Sequence, residues 1–308
     1  MFASPLRVAH NVSVVARRLA SRVLNCLTRR GLPMLHELRG GLAPIILACL
    51  TAGQAIAQVG HCMADSPVGG CVVGEVRDGA GELKPGLHVY FTQPTKRYGH
   101  NVLGNSPEWG GLAYVQQGSA GQGSLASNEF TLPKDHVFED LTPRLVDLDA
   151  DASPEIVVIE SDVNRGAALA IYDILENKIV KVAETPHIGT SNRWLAPLGA
   201  ADLDNDGAME LAFVDRPHLA KTLRIWRYKN GQLIEIAALS GVTNHRIGEA
   251  FISGGIRDCA GTLEIITADA RWRRVIATKL IGKDLVPVDI GAFQGAASFE
   301  TALACEQL

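Results

Sequence analysis

The chain contains Asp147-Leu-Asp-Ala-Asp-Ala-Ser-Pro-Glu155 and, 55 residues later, Asp202-Leu-Asp-Asn-Asp-Gly-Ala-Met-Glu210. In both stretches acidic residues occupy positions 1, 3, 5 and 9. A hard cation such as Ca²⁺ takes about six to eight oxygen ligands at roughly 2.3 to 2.6 Å, and a tight loop supplies them from alternate side chains and from the backbone carbonyl of position 7. The spacing therefore predicts two calcium ions, one in each loop. The predicted ligands are Asp147, Asp149, Asp151, Ser153 and Glu155 in the first loop, and Asp202, Asp204, Asp206, Ala208 and Glu210 in the second, with Ser153 and Ala208 contributing backbone carbonyls.

An EF-hand is the other common loop of this kind, but it carries its bidentate Glu at position 12 and has a helix on each side. Here residues 154–160 and 209–214 are runs of β-forming type. The alternative to metal binding is that the acids are solvated turn residues. Clustered like charges repel each other without a cation, which favours a bound metal in a structural role.

The segments after the two loops also match each other. Glu155-Ile-Val-Val-Ile159 aligns with Glu210-Leu-Ala-Phe-Val214, and the match continues through two more apolar runs, to residues 182 and 236. In the second copy these runs flank Asn230-Gly231, a strong signal for a hairpin turn. Each unit therefore predicts four short strands.

Weaker copies begin near His100 and His245, and the later one keeps only Asp258 and Glu264 of its acidic loop. A period of about 50 residues with four strands per unit is typical of a β-propeller. Strand-like runs remain at both ends, and they are residues 72–76, 87–91, 289–293 and 299–303. Because a propeller must close its ring, we predict an all-β chain: a β-propeller of about five four-stranded blades, with one blade closed by strands from both termini.

Residues 145–158 and 200–212, which contain the two acidic loops, resemble the FG-GAP/VCBS repeats. These are the calcium-loop blades found at the head of integrin α chains and in small exported bacterial VCBS-repeat proteins. The resemblance implies a propeller with structural calcium and implies no common reaction. The family usually has Gly at the sixth loop position, where the chain has Gly207 in the second loop and Ala152 in the first.

The first 57 residues have the layout of a leader and signal peptide. A basic stretch is followed by the apolar run 42–50 and by Ala55-Ile-Ala57, an A-x-A cleavage pattern. We expect cleavage after Ala57, a periplasmic or secreted protein, and a single β-propeller domain over residues 58–308. A start at Met34 would give a leader of ordinary signal-peptide length, and a lipoprotein anchored at Cys49 is the alternative.

Charge and cysteine usage limit the partners. Residues 1–57 hold seven of the 29 basic and one of the 33 acidic residues, so the remainder has a net charge of about −10, which disfavours nucleic acid and anionic membranes. Four cysteines follow residue 57, namely Cys62, Cys71, Cys259 and Cys305. In an exported chain they favour disulfides. Of the three possible pairings, we predict Cys62 with Cys71 and Cys259 with Cys305.

Three further segments fall at corresponding places near the starts of their units and would surround one mouth of a central channel. They contain His100, Asn101, Arg193, Trp194, His245 and Arg246. Their cationic and aromatic character suits a small anionic ligand or a peptide carboxylate. The alternative is that they are packing groups at blade junctions.

The sequence analysis favours a monomeric, exported, calcium-binding propeller that acts as a binding or interaction module for a protein or a small anionic ligand. No zinc helix, nucleophile elbow or P-loop motif is found in the sequence. Propellers can assemble active sites from scattered residues, so a lyase or hydrolase with its active site at the channel mouth is the alternative. A purely structural role in envelope assembly is a third hypothesis.

Overall fold

The computed structural model describes residues 69–74, 86–117 and 125–308. In these ranges the protein is all-β, as the sequence predicts. Its strands are antiparallel, and the described residues contain one short helix. The predicted leader over residues 1–57 lies outside the described residues.

The strands form four successive four-stranded units, which we number one to four in chain order. Unit one is a meander of β1 (Gly69–Gly74), β2 (Leu87–Thr95), β3 (Glu108–Gln117) and β4 (Leu125–Thr131). Unit two has β5 (His136–Phe138) and β6 (Arg144–Val146), which both pair with the same edge of β7 (Glu155–Asp162), followed by β8 (Gly166–Leu175) and β9 (Lys178–Glu184). A single bridge, Trp109 to Phe138, joins these two units into one nine-stranded sheet.

The next two units are separate sheets. Unit three consists of β10 (Leu195–Ala201), β11 (Glu210–Asp215), β12 (Thr222–Lys229) and β13 (Gln232–Ser240). Unit four again has a divided first strand, with β14 (Val242–Thr243) and β15 (Gly255–Asp258) on β16 (Leu263–Asp269), followed by β17 (Arg274–Ile281) and β18 (Asp284–Ala292). The helix α1 (Ala296–Leu303) follows it.

Strand β7 shows how the units pack. All eight of its residues are buried. Since successive side chains on a strand point to opposite faces, Ile156 and Val158 enter the core shared with unit one, whereas Val157 and Ile159 enter the core shared with unit three. An uninterrupted apolar run is what a strand with two buried faces requires.

The predicted hairpin at Asn230-Gly231 is confirmed. Both residues have positive φ, 52° and 72°, and Lys229 pairs with Gln232 across the turn. This is the two-residue turn for which Asn-Gly is the preferred sequence. Glu176 and Asn177 form the equivalent turn in unit two, with φ of 51° and 63°.

The predicted blade made from both termini is not found among the described residues. Strands β1 and β2 pair with each other, and β2 continues into β3, so both belong to unit one. Residues 299–303, expected to be a strand, are helical. The segment is rich in Ala, Glu and Leu, which favour helix, and its Phe299 and Ala302 bury one face against β16 and β17.

Residues 100–104, where a weaker repeat copy was expected to begin, form a turn between β2 and β3. This turn contacts unit four, where the Gly248 amide donates a hydrogen bond to the Val102 carbonyl at 3.2 Å. Gly104 has a φ of +66°, and a Cβ there would lie 2.8 Å from the Gly248 carbonyl oxygen, so only glycine fits this approach. The first and last units therefore touch through loops.

Candidate functional site

The first acidic loop connects β6 to β7 and is closed by its own carboxylates. Asp147 Oδ2 accepts a hydrogen bond from the Ala152 amide at 3.1 Å, and Glu155 Oε2 accepts one from the Leu148 amide at 2.7 Å. Ala152 stands at the sixth position with a φ of +68°, the conformation that glycine would adopt more easily. The loop thus keeps the predicted turn geometry without the glycine.

The second loop, between β10 and β11, has the same hydrogen bonds at the same positions. Asp202 Oδ2 accepts from the Gly207 amide at 2.9 Å, and Glu210 Oε2 accepts from the Leu203 amide at 2.8 Å. Position 7 is also held alike, since the Ser153 amide donates to Asp151 in the first loop and the Ala208 amide donates to Asp206 in the second. Two stretches of different sequence therefore fold into one loop structure.

Carboxylates converge in both loops. One oxygen from each of Asp147, Asp149 and Glu155 lies within 4.8 Å of the others, and the same holds for Asp202, Asp204 and Asp206. The side chains of Asp147 and Asp204 each have a buried Oδ1 without a hydrogen-bond partner among the described residues. Both clusters could hold a metal ion, and the buried unpaired oxygens fit that use.

The first cluster is strongly acidic. Glu155 is 3 % exposed, and burial together with the charges of Asp149 and Asp173 raises its pKa to about 7. Burial and the charges of Asp151 and Asp149 likewise raise the pKa of Asp173 on β8. None of these carboxylates has a Lys or Arg salt-bridge partner in the described part of the chain. A cation among them would offset the repulsion.

The second cluster already contains a cation, the guanidinium of Arg227 on β12. Its Nε lies 2.6 Å from Glu210 Oε1, its Nη2 lies 2.7 Å from Asp204 Oδ2, and its Nη1 lies 2.6 Å from Asp206 Oδ2. Three of the predicted metal ligands are therefore bound by an arginine. The residues of this loop fit a metal less well than those of the first.

Sheet register explains the difference between the loops. Glu210 pairs directly with Arg227 across β11 and β12. In unit two Ile156 pairs with Tyr172, so the residue opposite Glu155 is Asp173. In unit four Ile265 pairs with Thr278, so Lys279 is opposite Glu264. The same position carries an acid in unit two and a base in units three and four.

The predicted channel-mouth residues are partly brought together. His100 Nδ1 lies 2.6 Å from Glu139 Oε1, and Trp194 Nε1 donates to the Glu139 backbone carbonyl at 2.8 Å. Glu139 is 2 % exposed and also accepts a hydrogen bond from Ser161 Oγ at 2.7 Å. Burial raises the pKa of Glu139, although its bonds to His100 and Ser161 oppose that shift.

His245 belongs to the same region, because its ring lies 4.9 Å from that of Trp194. Its Nε2 is 3.0 Å from the Glu249 carbonyl and its Nδ1 is 3.0 Å from His218 Nε2. Since the carbonyl can only accept, Nε2 of His245 carries the proton, and His218 Nε2–H donates to Nδ1. Burial lowers the pKa of both rings, and the neighbouring His245 and His100 help to lower that of His218 to about 4.

Two predicted residues lie away from this cluster. Asn101 is exposed and donates to the Gly99 carbonyl, and the Arg246 guanidinium stacks 4.3 Å from the centre of the Trp272 ring. Arg193 does line a small cavity beside His100 and His218, but the cavity has a volume of about 30 Å³, roughly that of one water molecule. This cavity is therefore nearly filled by the side chains around it.

Sequence reasoning missed several members of these sites, chiefly Asp173, Arg227, Glu139 and His218. None has a fixed spacing from a motif. Asp173 and Arg227 could have been found by pairing the predicted strands, because each follows from the register of the hairpin. Glu139 and His218 join the cluster through loops between strands, which sequence spacing does not report.

The predicted disulfide between Cys259 and Cys305 is confirmed, with the two Cα atoms 5.8 Å apart. It ties the end of α1 to the loop after β15, and it is consistent with an oxidising compartment outside the cytoplasm. The proposed pairing of Cys62 with Cys71 lies outside the described side chains. Among the described residues no helix is long and apolar enough to cross a bilayer.

Neither a protein-family model nor a curated protein matches this chain.

Proposed function

We propose that the protein is an exported, calcium-binding β-propeller of the FG-GAP/VCBS-repeat type that acts as a binding module. The observation that carries the proposal is the shared structure of the two acidic loops. Amides at equivalent loop positions donate to Asp147 and Asp202, and amides at another pair of equivalent positions donate to Glu155 and Glu210. In this proposal the four units are the blades of the ring, and the contact between Gly248 and Val102 closes it. This replaces the five blades expected from the sequence.

The two proposed calcium sites are unequal. The first loop has three converging carboxylates and the extra charge of Asp173, with no basic partner among the described residues, so calcium would bind there first. In the second loop calcium would have to displace Arg227, so we expect weaker binding. The first loop joins β6 to β7 and the second joins β10 to β11, and an ion there would stabilise the blade rather than take part in a reaction.

Thermal unfolding of the purified protein tests the calcium proposal. With calcium in place of EGTA, the unfolding temperature should rise, and Asp149→Asn should remove most of that rise. Asp284→Asn, which changes an acid at the start of β18, is the matched control and should leave the rise intact. An unfolding temperature that does not depend on calcium in the unaltered protein would reject the metal assignment.

The binding role is proposed for the face around His100, Arg193 and His218. Because the cavity there holds about one water molecule, a ligand would sit on the surface and reach in with one small group, such as a carboxylate oxygen. Titration with acetate, followed by the NMR signals of the histidine rings, tests this. Shifts that are lost in Arg193→Gln support the proposal, and the absence of any shift argues against an anion-binding mouth.

An enzyme is the second candidate, and the paired Glu139 and His100 favour it. A buried carboxylate bound to one ring nitrogen fixes the tautomer of a histidine and makes the other nitrogen a better base. Hydrolysis of p-nitrophenyl esters and phosphates by the unaltered protein, and its loss in both His100→Gln and Glu139→Gln, would support this candidate. The same rate in all three proteins would exclude the pair from catalysis.

A further inference from the structure

A second and larger cavity, of about 260 Å³, lies between units two and three. One wall is formed by residues 185–188, which follow β9, and the other by the face of β11, β12 and β13 that carries Phe213, Arg224 and Trp226. At about 30 Å³ for each water, the space equals roughly nine water molecules. It is distinct from both acidic loops, and the calcium proposal does not use it.

The charged groups of the cavity neutralise one another. Asp215 accepts from Arg216 Nε at 2.8 Å and from Arg224 Nε at 2.9 Å, and Arg224 also pairs with Glu235. Although burial opposes ionisation of Asp215, the hydrogen bonds from the two arginines hold its pKa below the usual value. Two arginines thus meet two carboxylates, and the cavity has no excess charge that would select an anion or a cation.

Two lining residues have unused hydrogen-bonding capacity. His187 Nε2 and Trp226 Nε1 are both buried and have no hydrogen-bond partner among the described residues. His187 Nδ1 lies 2.6 Å from the Gly166 carbonyl, so Nδ1 carries the proton and Nε2 is left as an acceptor. The indole Nε1–H of Trp226 can only donate. Native proteins pair nearly all such atoms, so these two call for a partner that can both donate and accept.

We propose that this cavity binds a small, uncharged, hydroxyl-rich ligand of about the size of a monosaccharide. A hydroxyl group donates and accepts, so hydroxyls on one ligand can serve both His187 and Trp226. The remaining wall is aromatic and apolar, with Phe213, Ile188 and Leu195, and suits the C–H face of a sugar ring. Both unpaired atoms are covered from solvent, so binding includes a small side-chain adjustment, as is common at binding sites.

Gly166 supports this arrangement of the wall. It has a φ of +76°, and a Cβ there would lie 2.3 Å from the Thr190 carbonyl oxygen. The position therefore requires glycine, and the close packing fixes the carbonyl that orients His187.

The test is titration calorimetry of the full chain with glucose, galactose, mannose, xylose and glycerol, each separately. A ligand this small should bind with a dissociation constant on the order of 1 mM. Trp226→Phe keeps an aromatic ring and loses the N–H. His187→Asn keeps a donor to the Gly166 carbonyl and loses the acceptor at the position of Nε2. Each should weaken binding about fivefold, as expected for the loss of one hydrogen bond.

Trp272→Phe is the matched control, because Trp272 packs with Phe293 and Phe299 beside α1 and should not affect affinity. Circular dichroism and thermal unfolding identify any variant that fails to fold, in which case the other variant carries the test. Two outcomes would overturn the proposal: no binding of any of the five compounds up to about 100 mM, or an affinity in both Trp226→Phe and His187→Asn equal to that of the unaltered protein. Since neither of these outcomes depends on calcium, failure here leaves the calcium proposal standing.

Discussion

Arg227 offers the sharpest test of how the second acidic loop is neutralised. Replacing it with methionine keeps a long unbranched side chain and removes all three ion pairs to Asp204, Asp206 and Glu210. Arg227 is 19 % exposed and Glu210 is fully buried, so these pairs are not ordinary surface contacts. Leaving buried carboxylates without their partner costs about 3 to 5 kcal/mol.

In EGTA, Arg227→Met should therefore unfold at a temperature roughly 6 to 20 °C lower than the unaltered protein, at about 2 to 4 °C per kcal/mol for a domain of this size. Calcium at about 100 times its dissociation constant should restore about 2.7 kcal/mol of the free energy of unfolding, because the carboxylates that Arg227 bound can now bind the ion. Calorimetric titration should show a second tight calcium site in the variant, whereas we expect one tight and one weak site in the unaltered protein.

Arg274→Met is the matched control. Arg274 pairs with Asp289 at 2.7 Å, but both side chains are about half exposed, so the substitution should change the unfolding temperature little and independently of calcium. The reasoning is refuted if Arg227→Met unfolds in EGTA at the same temperature as the unaltered protein, or if its second calcium site is no tighter than that of the unaltered protein.

Three other predictions follow from the same structure. Asp173→Asn should raise the unfolding temperature in EGTA, by relieving repulsion in the first cluster, and should weaken calcium binding in calorimetry. Replacing Cys259 and Cys305 by serine should lower the free energy of unfolding in urea by about 2 to 4 kcal/mol, since the disulfide closes a separation of 46 residues. The pKa of His218 is lowered to about 4 in the folded protein, so as the pH falls this histidine is protonated in the unfolded chain before it is protonated in the folded one. Stability should accordingly fall by about 1 to 2 kcal/mol, after discounting for solvent screening, as the pH drops from about 6.5 to 4, and His218→Gln should flatten this part of the urea-unfolding profile.

Local pattern was enough to predict much of the framework. The runs 155–159 and 210–214 are strands, Asn230-Gly231 is a hairpin turn, and the two acidic loops share one backbone structure. Each of these depends on residues close together in the chain, through side-chain alternation, turn conformation or hydrogen bonds from an acid to a nearby amide.

Among the described residues of the four terminal runs, the segment 299–303 was predicted wrongly, because it is helical, whereas β1, β2 and β18 cover most of the other three. The pattern of polar and apolar residues in 299–303 is compatible with a short strand. The burial of Phe299 and Ala302 on one side of a helix depends on the sheet against which they pack. Likewise β1 and β2 were expected to need a partner from the C terminus, whereas β3 supplies their neighbour. Which strand completes a sheet is decided by packing between distant segments.

By itself, the sequence determined an all-β chain with two acidic loops, because those features depend on the spacing of residues that are close together in the chain. Only the tertiary structure decided that Arg227 neutralises one loop while Asp173 adds charge to the other, and that Glu139 meets His100 and Trp194. These contacts join residues from 17 to 55 positions apart, so they depend on strand register and on how the units pack. Charges and hydrogen bonds act through space, and their effect is fixed only when the fold sets the distances.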